Sequence, residues 1–179
     1  MSAVHENELS ALLLKKPLHI RLGLESMHQA LSTLHLDLPP CILVGGTNGK
    51  GSTAGMLWHL LAGADLRVGL YTSPHLVHFG ERYQLSMRQV LDPELVALSQ
   101  DLQRALPADL WDDLTFFEVT TLMAAMLFAR SGLDLAIYEG GLGGRLDAVN
   151  AFDPEASVVV TVDYDHMDLL GSTLTAIAR

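Results

Sequence analysis

The run Val44-Gly45-Gly46-Thr47-Asn48-Gly49-Lys50-Gly51-Ser52-Thr53 spaces glycines, one lysine and two hydroxyls as a phosphate cradle would need them. Glycines free backbone N–H groups to face an anion, Lys50 adds a cation, and a helix starting here would present its positive end. The common nucleotide loop, G-x-x-x-x-G-K-[ST], requires Gly at position 44 and Ser or Thr at 51, where this chain has Val44 and Gly51. The hydroxyls come one residue later, at Ser52 and Thr53. Such a loop suits the β and γ phosphates of a nucleotide with magnesium; the bland alternative is a strand-to-helix turn with a surface lysine.

Three other polar groups follow. In YTSPHLVHFGER, 71–82, Pro74 discourages helix at Ser73 and leaves the Ser73 hydroxyl and the His75 ring near a strand end. Ser73 would ligate a metal ion or bond a substrate, or serve as an ordinary turn or cap. Arg82 suits an anionic organic substrate, or forms a solvated pair with Glu81. In YEGGLGGRLDAVN, 138–150, Glu139 precedes four glycines in five residues, which allow close backbone approach to a ligand. A carboxylate beside nucleotide phosphates repels them unless a cation intervenes, and Mg²⁺ takes oxygen ligands from both. Arg145 would compensate phosphate charge, and Asp147 would hold the loop through backbone hydrogen bonds. In TVDYDHMDLLG, 161–171, His166 lies between Asp165 and Asp168 just after a β-type run, as a ligand or phosphate contact or as a turn histidine. The remaining histidines, His5, His19, His28, His35, His59 and His78, lack convergent partners, and no compact zinc spacing occurs.

Composition bounds what these groups can serve. The 179 residues are 49% hydrophobic and 18% charged, which predicts a packed globular core. A net charge of -10, with 21 acidic and 11 basic residues, disfavours a general nucleic-acid surface, so phosphate binding must be local. The single Cys41 opens an apolar run and reads as a buried thiol. The N-terminus does not read as a secretory signal, and no apolar run reaches about 18 residues, the length of a membrane span. The expectation is a cytoplasmic protein without a membrane partner.

The elements that position the polar groups are legible as an alternation. Leu24, Met27, Leu31 and Leu34 predict a helix over 22–35, ended by Pro39-Pro40. A buried strand at 41–45, the glycine turn, a helix over 52–64 and a strand at 67–71 form the repeating unit of a mostly parallel α/β sheet flanked by helices. Residues 72–92 are irregular, with Phe79, Tyr83 and Leu85 alternating as in a small strand or flap. Helices are expected at 93–106 and 116–131 around a polar turn from Pro107 to Asp113, and buried strands at 133–139 and 156–162. Gly46–Ser52, Thr72–His75, Glu139–Arg145 and Asp163–His166 then all emerge at the carboxyl edge of the sheet, where open α/β sheets bind ligands.

Taken in order, GTNGKGST (46–53), YTSPHL (71–76), ER (81–82), LTFFE (114–118), EGGLGGRLDAVN (139–150) and DHMDLLG (165–171) resemble the folylpolyglutamate synthase and dihydrofolate synthase family of Mur-type amide ligases. The resemblance runs from about residue 19 to Arg179 and implies a P-loop ATPase-type sheet like the Mur ligase central domain, here incomplete. It divides the chain into an N-terminal helical segment, 1–40, and part of the ATP-binding domain, 41–179, with no counterpart of the family's C-terminal glutamate ligase domain. It implies ATP and Mg²⁺ as cofactors. Thr47, Asn48, Gly49, Lys50, Gly51, Ser52 and Thr53 would bind the triphosphate, and Ser52, Ser73, Glu139 and His166 the metal. Lys50, Glu139 and His166 would be catalytic, and Thr72, Pro74, His75 and Arg82 would lie near the substrate. The implied reaction joins L-glutamate to dihydropteroate or folate through an acyl phosphate, in an enzyme monomeric at full length. The alternatives are an inactive nucleotide-binding fragment and another Mur-type ligase acting on an amino-sugar peptide precursor. Gly140, Val149, Asp163-Tyr164 and Ser86-Met87 depart from the family pattern, and Asp163 adds negative charge near the expected metal.

Overall fold

The computed structural model describes Lys16 and residues 22–178. His5, His19, Arg179 and much of the expected 1–40 segment lie outside the described residues. In chain order the elements are α1 (Glu25–Leu34), β1 (Cys41–Gly45), α2 (Lys50–Ala62), β2 (Val68–Tyr71), a 3-10 turn (Phe79–Arg82) and β3 (Tyr83–Leu85). There follow α3 (Asp92–Ala105), α4 (Ala108–Asp113), α5 (Phe116–Arg130), β4 (Leu135–Glu139), a second 3-10 turn (Ala148–Ala151), β5 (Ala156–Val159), α6 (Met167–Leu170) and α7 (Leu174–Ile177).

The five strands form one sheet in the order β3-β2-β4-β1-β5. β1 pairs in parallel with β4 and β5, and β2 in parallel with β4; β3 alone runs antiparallel, on β2. Period-two alternation sorts the strand side chains into two layers. Cys41, Leu43, Tyr71, Ala136 and Tyr138 face the larger core, built with α1, α3 and α5. Val44, Val68, Leu70 and Ile137 face Ala54, Leu57, Trp58 and Leu61 of α2. The sequence of α5, FFEVTTLMAAMLFAR, is apolar around its girth because eleven consecutive residues, Glu118 to Phe128, are buried. Thr115 and Glu118 fix where it starts: Thr115 Oγ1 accepts from Glu118 N, and Glu118 Oε2 accepts from Thr115 N at 2.8 Å, a reciprocal cap.

Two expectations are corrected. The segment expected as a polar turn contains α4, because Leu110 and Trp111 turn into the core and Trp111 N donates to Pro107 O at 2.8 Å. The last strand, expected to be buried and to reach 162, stops at Val159 and lies largely exposed at the edge of the sheet. Its neighbour β1 ends at Gly45 and turns into the glycine loop; after Val160 N bonds Gly45 O at 3.0 Å, the chain has no strand left to pair on that side. The irregular stretch resolves into the Phe79–Arg82 turn and the short β3. Among the described residues no helix is long and apolar enough to cross a membrane.

Candidate functional site

Because β1 is parallel to its neighbours, its carboxyl end delivers Gly45–Gly49 to the same edge as the ends of β2, β4 and β5, as expected. α2 begins at Lys50, two residues earlier than the sequence indicated, with Gly49 before it in the left-handed region at φ 82°. Backbone amides of the loop thus meet the N-terminus of a 13-residue helix. Lys50 Nζ folds back to donate to Gly46 O at 2.9 Å and Thr47 O at 3.2 Å. Ser52 is exposed on the first turn, and Thr53 N closes that turn on Gly49 O at 2.9 Å.

The loop leans on Thr161, for which the sequence suggested no role, and on Asp163. Thr47 N donates to Thr161 O, Asn48 N donates to Thr161 Oγ1, and that hydroxyl donates to Asn48 O. Asp163 N donates to Thr47 Oγ1 at 3.0 Å. The chain just after β5 therefore splints the phosphate loop. Gly46, at φ 128°, is required where the two backbones meet, since a β-carbon there would lie 2.7 Å from Thr161 O. The signal was present in ASVVVTVD as a strand continuing past its partner, but only the sheet order shows which loop it would reach.

Glu139 ends β4 in register with Val44, on the α2 side of the sheet. Only 5% of it is exposed. Ser73 N donates to its Oε2 at 3.1 Å, and the Gly51 amide also bonds it. Burial pushes its carboxyl above the ordinary value, opposed by those amides and by the Lys50 and Arg82 charges. Loop, Ser73 and Glu139 thus come together as expected.

Two cavities flank this junction. One, of about 380 Å³, runs from Gly46, Thr47 and Lys50 to Thr161 and Leu170. The other, of about 260 Å³, is walled by Ser73, Pro74, Arg82, Phe116, Phe117 and Glu118, among others. Gly141, Leu142, Asp147 and His166 line both and form the partition between them. Asp147 pins that partition: Oδ2 accepts from Gly141 N and Leu142 N at 2.9 and 2.7 Å, and Oδ1 from Val149 N at 3.0 Å. Its burial raises its pKa, with the three amides pulling the other way.

Arg82 is buried at 6% exposure, 5.6 Å from the Phe79 ring centroid and 5.4 Å from that of Phe116. Thr72 N bonds its carbonyl at 3.0 Å. His75 is not on the cavity wall; its Nδ1 accepts from Arg82 Nε at 3.0 Å. His166 stands in the left-handed region at φ 46°, exposed, with Nε2 3.7 Å from Asp165 Oδ2. It reaches both cavities, whereas Glu139 lines neither. Among the described residues no group of three His, Cys, Asp or Glu side chains is arranged to hold a metal ion, so the expected metal set draws on hydroxyls, one carboxylate and a histidine from a separate loop. Cys41 is buried and its thiol is pushed up to about 11, mainly by burial, which leaves it a core residue.

A mostly parallel sheet whose first strand enters a glycine-lysine loop at a helix head is a P-loop-type α/β domain. No family model matches the chain. The dihydrofolate synthase/folylpolyglutamate synthase of Haemophilus influenzae is 41% identical over 164 residues, 91% of this chain and 36% of the relative. That of Escherichia coli strain K12 is 39% identical over 162 residues, 89% of this chain and 38% of the relative. Among solved structures, E. coli FolC in complex with DHPP and ADP superposes with a TM-score of 0.87 at 37% identity, covering 95% of this chain and 42% of that one. A bifunctional folylpolyglutamate synthase/dihydrofolate synthase with Mn, AMPPNP and L-glutamate bound gives 0.81 at 38% identity, covering 89% and 39%. The chain belongs to the folylpolyglutamate synthase/dihydrofolate synthase family, with its Mur ligase-like fold, and spans only 36% to 42% of the length of these relatives.

Proposed function

We propose that this chain is the nucleotide- and carboxylate-binding part of an ATP-dependent ligase that joins L-glutamate to dihydropteroate and/or folates through an acyl phosphate. The observation that carries the reading is the seating of Glu139 against Gly51 of the phosphate loop and the Ser73 amide. It puts a carboxylate where nucleotide phosphates would arrive, an arrangement that suits a hard, oxygen-liganded cation. In this reading residues 41–179 belong to a Mur ligase-like ATP-binding domain behind the helical segment 1–40. The enzyme is a cytoplasmic monomer acting on small molecules, and its acidic surface gives nucleic acid no general foothold.

The residues take their roles from where they lie. The amides of Thr47–Gly51, the Lys50 ammonium and the Ser52 and Thr53 hydroxyls would receive the triphosphate. Ser52, Ser73 and Glu139 would hold Mg²⁺, with His166 serving a second metal from the partition. When bound, ATP and Mg²⁺ would supply the phosphoryl group and the charge compensation that turn a carboxylate into an acyl donor. Lys50 would exchange its carbonyl partners for the phosphates, and the splint through Thr161 would keep the loop amides aimed. Among the described residues Arg82 has no carboxylate in an ion pair, and it lies in the wall with Ser73 and Pro74, so it would draw the substrate carboxylate toward the junction. Phe116 and Phe117 offer flat apolar surface to a fused-ring substrate. The glutamate amine then displaces phosphate; no protein nucleophile is needed.

The reading is tested by giving the full-length gene product ATP, L-glutamate and dihydropteroate or folate. ADP, phosphate and a new amide are expected together. A requirement for a UDP-linked substrate would overturn it.

A further inference from the structure

We infer that His75 is a positioning residue, acting through Arg82 to fix how the substrate carboxylate is gripped; this rests on the proposed role of Arg82. A guanidinium has donors and no acceptor, so the 3.0 Å contact between Arg82 Nε and His75 Nδ1 has one possible direction: Nε–H donates and Nδ1 accepts. The accepting Nδ1 must carry a lone pair.

This bond removes one of the two bidentate edges of the guanidinium. A carboxylate can engage Arg through Nε and one terminal nitrogen, or end-on through both terminal nitrogens. With Nε committed to His75, the end-on edge is the one left for an anion in the 260 Å³ cavity that Arg82 helps wall. The rest of the side chain is equally constrained. Its guanidinium carbon lies 5.6 Å from the Phe79 centroid and 5.4 Å from that of Phe116, and the His75 ring packs edge-on to Phe79 at 5.7 Å. The backbone is fixed too, because Thr72 N bonds Arg82 O and the next residue, Tyr83, is in register with Tyr71. His75 thus holds Nε of a buried cation that also lies beside two aromatic rings, and the SPH turn and the ER pair form one device.

Two measurements on the full-length gene product decide this. Nitrogen-15 spectra of the Arg82 side chain should show an Nε–H held in a hydrogen bond that is lost in His75→Leu; an Nε–H signal unchanged by that substitution would overturn the inference. Binding of dihydropteroate and, separately, of ATP is then followed by calorimetry in His75→Leu, His75→Asn, Arg82→Ala and the Arg82→Ala/His75→Leu double variant. Leu should weaken dihydropteroate by about tenfold or more while ATP stays within about twofold. Asn, which keeps an acceptor near the Nδ1 position, should recover most of the loss. In the Arg82→Ala background the Leu substitution should add nothing. If Arg82→Ala does not weaken dihydropteroate, the substrate role of Arg82 fails; if it does and His75→Leu does not, or if the two losses add, the positioning role alone fails.

Discussion

Gly51 and Glu139 touch so closely that a β-carbon on Gly51 would lie 3.3 Å from one carboxylate oxygen of Glu139 and 3.4 Å from the other. The offset that separates this loop from the common nucleotide motif thus has a steric cause. A β-carbon on the residue after the lysine would press the Glu139 carboxylate aside by a few tenths of an ångström, and glycine there leaves the carboxylate where it is.

Gly51→Ala is therefore expected to lower kcat/KM for ATP by about tenfold or more, since a displaced Glu139 costs stabilisation worth at least one such factor. The fold should survive, because the contact is to a side-chain end. Steady-state kinetics beside a thermal melt separate the two effects, and an unaltered kcat/KM would show that the carboxylate seat is immaterial.

Lys50→Ala removes the one ammonium of the loop, now held by Gly46 O and Thr47 O. ATP affinity in the full-length product should fall by about tenfold or more, in line with the strength of charge-assisted phosphate contacts. Nucleotide titration by calorimetry reads this directly; unchanged affinity would count against the cradle.

Glu139→Gln should separate stability from activity. Burial raises the Glu139 pKa above its ordinary 4.5, so the folded state holds this proton more tightly than the unfolded one. Its contribution to stability is then fully present below 4.5 and declines as pH rises through the raised value. Relative to wild type, the Gln variant should gain stability across that interval and be no less stable at pH 7, while ligase activity is lost. Melting temperatures from pH 4 to 8 provide the check, and a variant that grows relatively less stable with rising pH would contradict the sign.

Asp147→Ala strips three backbone N–H groups of their acceptor in a buried loop. With each unsatisfied buried donor costing on the order of 1 kcal/mol or more, a loss of about 3 kcal/mol is expected in denaturant unfolding. Asp147→Asn should lose less, keeping one acceptor oxygen. A loss under about 1 kcal/mol for Ala would mean that water or the loop itself replaces the carboxylate.

Much of this arrangement was readable from residue order. The strand at 41–45, the helix after it and the β4 strand ending at Glu139 follow from apolar runs punctuated by glycine, because buried parallel strands leave that mark. Asp147 was readable as a loop holder because Asp in a glycine-rich turn has few other uses. The α4 helix was not: ADLWDD looks polar until Leu110 and Trp111 are seen to meet a core made by distant segments. Nor was the Thr161 splint, which depends on β5 lying next to β1, a fact of sheet order rather than of local sequence. For the same reason His75 reads as a substrate contact in SPHL and emerges as a neighbour of Arg82, seven residues away, only once β2 and β3 pair.

In the proposed reaction ATP activates a substrate carboxylate at the junction of the phosphate loop and Glu139. It is tested most directly by incubating the full-length gene product with ATP, L-glutamate and dihydropteroate labelled with oxygen-18 in its carboxylate. An acyl phosphate requires one carboxylate oxygen to leave with the phosphorus, so one labelled oxygen is expected in each phosphate released. Amide formation with unlabelled phosphate would contradict it.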